Sequence, residues 1–97
     1  MTGKQRAQLR AMANGIQPIC QIGKNGIVDT LVAQLDDALE ARELIKVTVL
    51  ENVELTAREA AGILAEKLDA EPIQAIGRRF VLYRRSMENP RIELELL

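Results

Sequence analysis

Apolar positions along this chain recur with two periods, and the switches between them divide it into seven elements. Leu9, Met12 and Ile16 fall at helical spacing, behind a Thr2–Gln5 pair that can form a capping box. Asn14-Gly15 is a helix stop, with Gly15 able to take a left-handed conformation, so a helix is expected over 3–13. Pro18 then opens a short apolar strand over 18–22, since proline is tolerated at a strand's first residue. Val28, Leu31, Val32, Leu35, Ala38 and Leu39 recur at three and four, which predicts a helix over 27–41. Asp36, Asp37 and Glu40 fall mostly on its other side. Ile45, Val47 and Val49 alternate with Lys46 and Thr48, predicting a strand over 44–50. Thr56 and Glu59 make a second capping box. The helix it opens, 57–68, carries Ala57, Ala60, Ala61, Leu64 and Leu68 on one face. Pro72 begins a third strand, 72–76, and Gly77-Arg78-Arg79 turns into a fourth, 80–84, as an antiparallel hairpin.

The order α-β-α-β-α-β-β predicts an α/β fold: a four-stranded mixed sheet with helices mainly on one face. Right-handed crossovers are expected wherever the strands joined by a helix are parallel. Residues 1–86 read as one domain and 87–97 as a tail. In the tail Ile92, Leu94 and Leu96 alternate with Glu93 and Glu95, as in an edge strand, though a disordered or partner-bound end fits as well. A length of 97 residues with 47% apolar content suits a single domain with a real core.

The junction of the first strand and second helix is Gly23-Lys24-Asn25-Gly26. Asn-Gly is a strong hairpin signal, but a hairpin needs an alternating strand after Gly26, and a helix pattern follows instead. Glycine lets a ligand come close to the backbone, and the helix points its unpaired N–H groups at the loop, which favours an anion such as phosphate. Asp29 in the first turn would repel a phosphate unless it caps its own helix.

Charge sharpens that picture. The net charge of −1 suggests no polyanionic partner, but its distribution does. Residues 1–26 carry +4 (Lys4, Arg6, Arg10, Lys24), 27–77 carry −7, 78–86 carry +4 (Arg78, Arg79, Arg84, Arg85) and 87–97 carry −2. Two basic segments flank an acidic middle, so a basic face can form on a nearly neutral protein; ordinary solvated surface is the plain alternative. Arg84 and Arg85 are neighbours on a strand and point to opposite faces, so at most one reaches a helix-free face. Arg78 and Arg79 sit in the turn, and Lys46 shares the outward face with Thr48.

With no histidine, the chain lacks the commonest general base and metal ligand. With one cysteine, it also lacks zinc sites and Cys–His nucleophile pairs. No catalytic, metal or cofactor site is therefore expected, and no small-molecule substrate. Cys20 reads as a small apolar residue. Asp36, Asp37 and Glu40 read as a solvated helix face rather than a magnesium site. No apolar run approaches the roughly 20 residues of a membrane span. The polar start, with no signal-peptide core, predicts a cytoplasmic protein.

Three pieces in register resemble the CRM-domain family. They are Pro18-Ile19-Cys20-Gln21-Ile22-Gly23-Lys24-Asn25-Gly26, Glu43-Leu44-Ile45-Lys46-Val47, and Gly77-Arg78-Arg79-Phe80-Val81-Leu82-Tyr83-Arg84. CRM domains are RNA-binding modules of chloroplast splicing factors and of small stand-alone bacterial proteins of the YhbY type, and the absence of a transit peptide and of further domains fits the bacterial form. Arg42 departs from the histidine expected before Glu43-Leu44. The resemblance implies a fold similar to the C-terminal domain of a bacterial translation initiation factor, with a KH-like Gly-x-x-Gly loop. It implies RNA binding and, for stand-alone members, association with precursors of the large ribosomal subunit.

KH loops clamp the backbone of about four nucleotides. On that pattern Gly23, Lys24, Asn25 and Gly26 would hold RNA, with Arg78, Arg79, Arg84, Lys4, Arg6, Arg10 and Lys46 adding charge. Phe80 and Tyr83 are the only aromatics, so base stacking is not expected to dominate. The expectation is a non-enzymatic protein that binds ribosomal RNA of precursor large subunits and assists their assembly. The rival is a protein-interaction adaptor that uses the alanine-rich helix face or the tail; a nuclease-like enzyme working on carboxylates alone is a weaker third reading, disfavoured by the missing histidine.

Overall fold

A computed structural model describes residues 1–94 of the chain. Its elements are α1 (Gly3–Ala13), β1 (Cys20–Ile22), α2 (Asp29–Arg42), β2 (Leu44–Val49), α3 (Ala57–Leu68), β3 (Glu71–Ile76) and β4 (Arg79–Tyr83). The predicted order holds. Both capping boxes form, Thr2 with Gln5 and Thr56 with Glu59, each satisfying amides of the first turn in both directions. Gly15 does not take the left-handed conformation: α1 ends through αR Asn14, whose amide donates to the Ala11 carbonyl, while the Gly15 amide donates to that of Met12.

The sheet order is β1-β2-β4-β3. β1 pairs parallel with β2, while β4 runs antiparallel to both β2 and β3. The β3–β4 hairpin turns on Gly77 and Arg78, with Gly77 at φ 59°, where a side chain would be strained. Alternation along β2 and β4 builds two cores. Ile45, Val47 and Val49 with Phe80 and Leu82 face α2 and α3, meeting Leu31, Leu35, Leu39 and Leu64. Each such leucine contributes about 1.5–3 kcal/mol by burial. Leu44, Val81 and Tyr83, with Ile73 from a bulge in β3, face the other way onto Leu9 and Ala13 of α1. Two helices thus share one face, as predicted, while α1 crosses the other, so neither face is helix-free.

The alanine-rich face of α3 is spent inside the molecule. Ala57, Ala60, Ala61 and Ala65 are all buried against the sheet and α2. Their small size lets α3 approach closely, and the face offers nothing to an outside partner.

The tail does not form the anticipated edge strand through residue 94, and the rest of that stretch lies outside the described residues. It is laced instead to the end of α2. The Glu43 carboxylate, fully buried, accepts hydrogen bonds from the amides of Ser86 (2.7 Å), Arg91 (2.6 Å) and Ile92 (2.8 Å). Glu40 accepts from the Ser86 hydroxyl and from the amides of Met87 (3.0 Å) and Glu88 (3.3 Å). Ile92 and Leu94 complete the apolar cluster under α1, and Gln8 donates to the Glu93 carbonyl at 2.7 Å. Glu40 is therefore not simply part of a solvated acidic face; it is an anchor.

Candidate nucleic-acid interface

Residues 23–26 turn tightly at the end of β1, closed by the Gly26 amide donating to the Gly23 carbonyl at 2.9 Å. Gly26 sits at φ 72°, which its position in the turn requires. Gly23 is different. Its φ is not positive, and a Cβ built on it would meet nothing within 4 Å. The fold does not need glycine there, so what its absent side chain leaves open is the approach from outside. Lys24 and Asn25 at the tip are exposed.

The helix behind the loop starts at Asp29, two residues later than its periodicity predicts. β-Branched Ile27 and Val28 stay out of the helix, and Val28 serves as an extended N-cap (φ −102°, ψ 163°) with no side chain to accept a hydrogen bond. Asp29 does not cap the helix either. The first-turn amides of α2 thus point toward the loop without a side-chain cap, unlike those of α1 and α3, which have capping boxes.

Sheet register decides which cations join this loop. Thr48 pairs with Gln21 on one side and Arg79 on the other, and the Val49 amide donates to the Arg78 carbonyl at 2.7 Å. The hairpin turn therefore stands at the same end of the sheet as residues 23–26. Arg79 is exposed and forms no ion pair among the described residues, and the same is true of Lys24. Arg78 is less free than its place in a turn suggests. Its guanidinium donates to the Leu50 and Glu51 carbonyls at 3.2 and 3.4 Å and ties the hairpin to the β2–α3 loop. Lys46 lies half-exposed on the α1 face, as its alternation predicts.

Three other candidate cations stand elsewhere. Arg84 points into the α2/α3 face, where it donates to Asp36 Oδ1 at 2.7 Å and to the Asp36 and Leu68 carbonyls at 3.0 Å each. That is a brace between two helices, at the sheet end away from the loop. Arg6 is at that far end too, on the Pro72 carbonyl (2.6 Å) and the Glu71 carboxylate (3.2 Å). Lys4 is exposed on the first turn of α1. Leu9 and Ala13 face the sheet, and Gln8, Met12 and Ile16 face the tail side. Arg10 is exposed, one turn after Arg6 on the same flank of α1.

Neither aromatic is available for stacking. Phe80 is fully buried and Tyr83 nearly so, and burial pushes the Tyr83 phenol pKa up. Burial also raises the Cys20 thiol, which packs at the edge of the larger core. Sequence reasoning missed Glu43 and Ser86. A carboxylate at a helix end signals nothing by itself, because the amides it accepts from lie more than forty positions away.

A mixed α/β sheet with an exposed glycine loop and a basic hairpin turn at one end is the architecture of a CRM domain. Residues 1–84 match the CRS1/YhbY (CRM) domain family, and the chain belongs to it. Over 94 residues the chain is 46% identical to the Bacillus subtilis protein named probable RNA-binding protein YqeI, spanning 97% of this chain and 98% of that one. A Haemophilus influenzae protein named RNA-binding protein is 32% identical over 88 residues, 91% of this chain and 89% of its own. The solution structure of Staphylococcus aureus SAV1595, described as a candidate RNA-binding protein, superposes with a TM-score of 0.81. It is 49% identical and covers 98% of this chain and 99% of that one.

Proposed function

We propose that this chain is a non-enzymatic RNA-binding protein that joins precursor large ribosomal subunits in the cytoplasm through ribosomal RNA and assists an assembly step. The observation that carries the reading is the loop itself. Exposed Lys24 and Asn25, flanked by a glycine the fold does not require, stand before a helix without a side-chain cap and at the same sheet end as Arg79, which has no ion pair among the described residues. Amides of the helix start bind phosphate oxygens, Lys24 and Arg79 supply charge, and Asn25 hydrogen-bonds phosphate or a ribose hydroxyl. Relatives named for RNA binding support the same partner.

The test is cosedimentation with precursor large subunits from cells. The double variant Lys24→Glu, Arg79→Glu is expected to leave those particles and run with free protein. Unchanged sedimentation would remove RNA contact through this loop as the basis of association. The adaptor reading gains no support from the structure, since the alanine-rich face is buried and the tail through residue 94 is bound to its own domain.

A further inference from the structure

We infer that a row of side chains across the sheet, Gln21–Thr48–Arg79–Ile76, extends the loop into a strand-length groove that recognises the ribose of RNA. The inference rests on the RNA reading of the loop. The row follows from register: Gln21 pairs with Thr48, Thr48 with Arg79, and Arg79 with Ile76. Chain neighbours fix its face. Cys20 and Ile22, Val47 and Val49, and Phe80 all turn into the α2/α3 core, so Gln21, Thr48 and Arg79 point the opposite way. On that face α1 covers Leu44, Ile73, Val81 and Tyr83, as far as the pleat before the row. The row lies beyond it, open to solvent, with a shallow cleft along Pro18, Gln21, Thr48 and Arg79.

Three features commit this surface to one occupant. It is continuous with the glycine loop, since β1 ends one residue past Gln21 and leads into Gly23. Its charge is Arg79, with Lys46 one pleat away on the same face, and no carboxylate belongs to the row. Its remaining members are an amide and a hydroxyl, neutral groups that both donate and accept, which complements a 2′-hydroxyl. Four strands at about 4.8 Å spacing make a row of roughly 14 Å, long enough for a short stretch of RNA backbone. Ile76, 68% exposed, closes the row with an apolar surface for a sugar or base. An RNA backbone held at Lys24 continues over this row, with Arg79 on a phosphate and Gln21 and Thr48 on ribose hydroxyls.

The experiment titrates the full chain with a single-stranded RNA 12-mer and with DNA of the same sequence, read by fluorescence anisotropy. Wild type is expected to prefer RNA. Gln21→Ala with Thr48→Val should lower RNA affinity about five- to tenfold, the worth of one or two neutral hydrogen bonds, and leave DNA affinity unchanged. Gln21→Ala alone, at an exposed position that cannot disturb the core, should give a two- to threefold loss on RNA only. Lys24→Glu should weaken both nucleic acids together. If Lys24→Glu weakens both while the row variants keep the wild-type RNA-to-DNA ratio, the row is overturned and the loop reading stands. Equal binding of RNA and DNA by wild type also overturns the row. If Lys24→Glu changes neither, the loop reading falls, and the row falls with it.

Discussion

The two ends of the sheet carry similar residues and use them in opposite ways. At the far end, the two arginines that reach the sheet edge and the helix ends, Arg6 and Arg84, both have carboxylate partners. Arg6 is on Glu71, Arg84 is on Asp36, and the carboxylates of Glu40 and Glu43 gather the amides of residues 86–92. At the loop end, Lys24 and Arg79 form no ion pair among the described residues, and the α2 amides have no side-chain cap. Pairing marks the end that holds the fold together. Unsatisfied charge and backbone mark the end at which the proposed RNA contact is placed. Formal charge alone does not separate them, because Arg79 and Arg84 lie five positions apart in the same basic segment.

Reversing charge at the loop end should give the largest effect. Each phosphate contact of a cationic side chain contributes about 1.5–3 kcal/mol, so Lys24→Glu with Arg79→Glu should cost at least about a hundredfold in RNA affinity. The melting temperature should stay within about 2 °C of wild type, since neither side chain has an ion pair to lose among the described residues. A large drop in melting temperature would mean that the loop end also holds the fold, and the comparison would break.

The far end should respond the other way round. Glu43 offers both oxygens as acceptors, Oε1 to Arg91 and Ile92 and Oε2 to Ser86. Glutamine has one acceptor oxygen and would turn an N–H₂ toward an amide N–H. Glu43→Gln should therefore cost about 2 kcal/mol, or roughly 10 °C in melting temperature, with RNA affinity unchanged. Differential scanning calorimetry and the same binding assay check the two halves.

Acid should act at the same end. Burial pushes the Glu43 carboxyl up, but the amides of Ser86, Arg91 and Ile92, with the charge of Arg85, outweigh it and hold its pKa low. The Ser86 hydroxyl, then the Met87 and Glu88 amides, lower Glu40. The Thr56 amide and hydroxyl lower Glu59. Carboxyls depressed in the folded state bind fewer protons there than in the unfolded chain. Their contribution is complete above the ordinary carboxyl pKa of about 4.3 and is lost as pH falls through the folded values. Thermal melts from about pH 7 to about pH 3 should show stability declining in that window. The decline should be shallower in a Glu40→Gln, Glu43→Gln variant that is already less stable at neutral pH.

The contrast between the ends also explains what could be read from the sequence. Periodicity carries the elements because burial imposes it: Leu31, Leu35 and Leu39 must share a helix face, and Ile45, Val47 and Val49 a strand face. Loop 23–26 was legible because glycine and lysine at a strand–helix junction are local chemistry. Arg84 and Glu40 were not. Their roles depend on Asp36, Leu68 and Ser86, which lie 16 to 48 positions away, and no local pattern distinguishes an arginine that will find a carboxylate from one that will not. The start of α2 was misplaced for a related reason: Val28 fits the helical period but ends up 41% exposed as a cap.

Gly23 tests whether the open end is shaped for approach. Alanine there meets no atom within 4 Å, and its backbone needs no positive φ. Gly23→Ala should therefore leave stability unchanged or raise it by up to about 1 kcal/mol through the unfolded state. RNA affinity should fall severalfold, because the methyl group stands where a phosphate must come close to the backbone. Undiminished affinity would mean that RNA does not approach from this side.

The smallest effect separates the two arginines most cleanly. A cation that neutralises a phosphate releases a counterion, so log affinity falls with log salt by about 0.7–0.9 for each such contact. Arg79→Gln should reduce the magnitude of that slope by about this amount. Arg84→Gln should leave the slope at its wild-type value, because its guanidinium is already engaged by Asp36 and the Leu68 carbonyl. It should lower stability instead, by about 1 kcal/mol, as the brace between α2 and α3 is lost. The slope is the better readout, because an affinity change at one salt concentration could come from partial unfolding of either variant. Counting released ions reports phosphate contact alone. If Arg84→Gln shifted the slope as much as Arg79→Gln, the far end would touch RNA too, and pairing within the fold would no longer mark which charges are kept from the ligand.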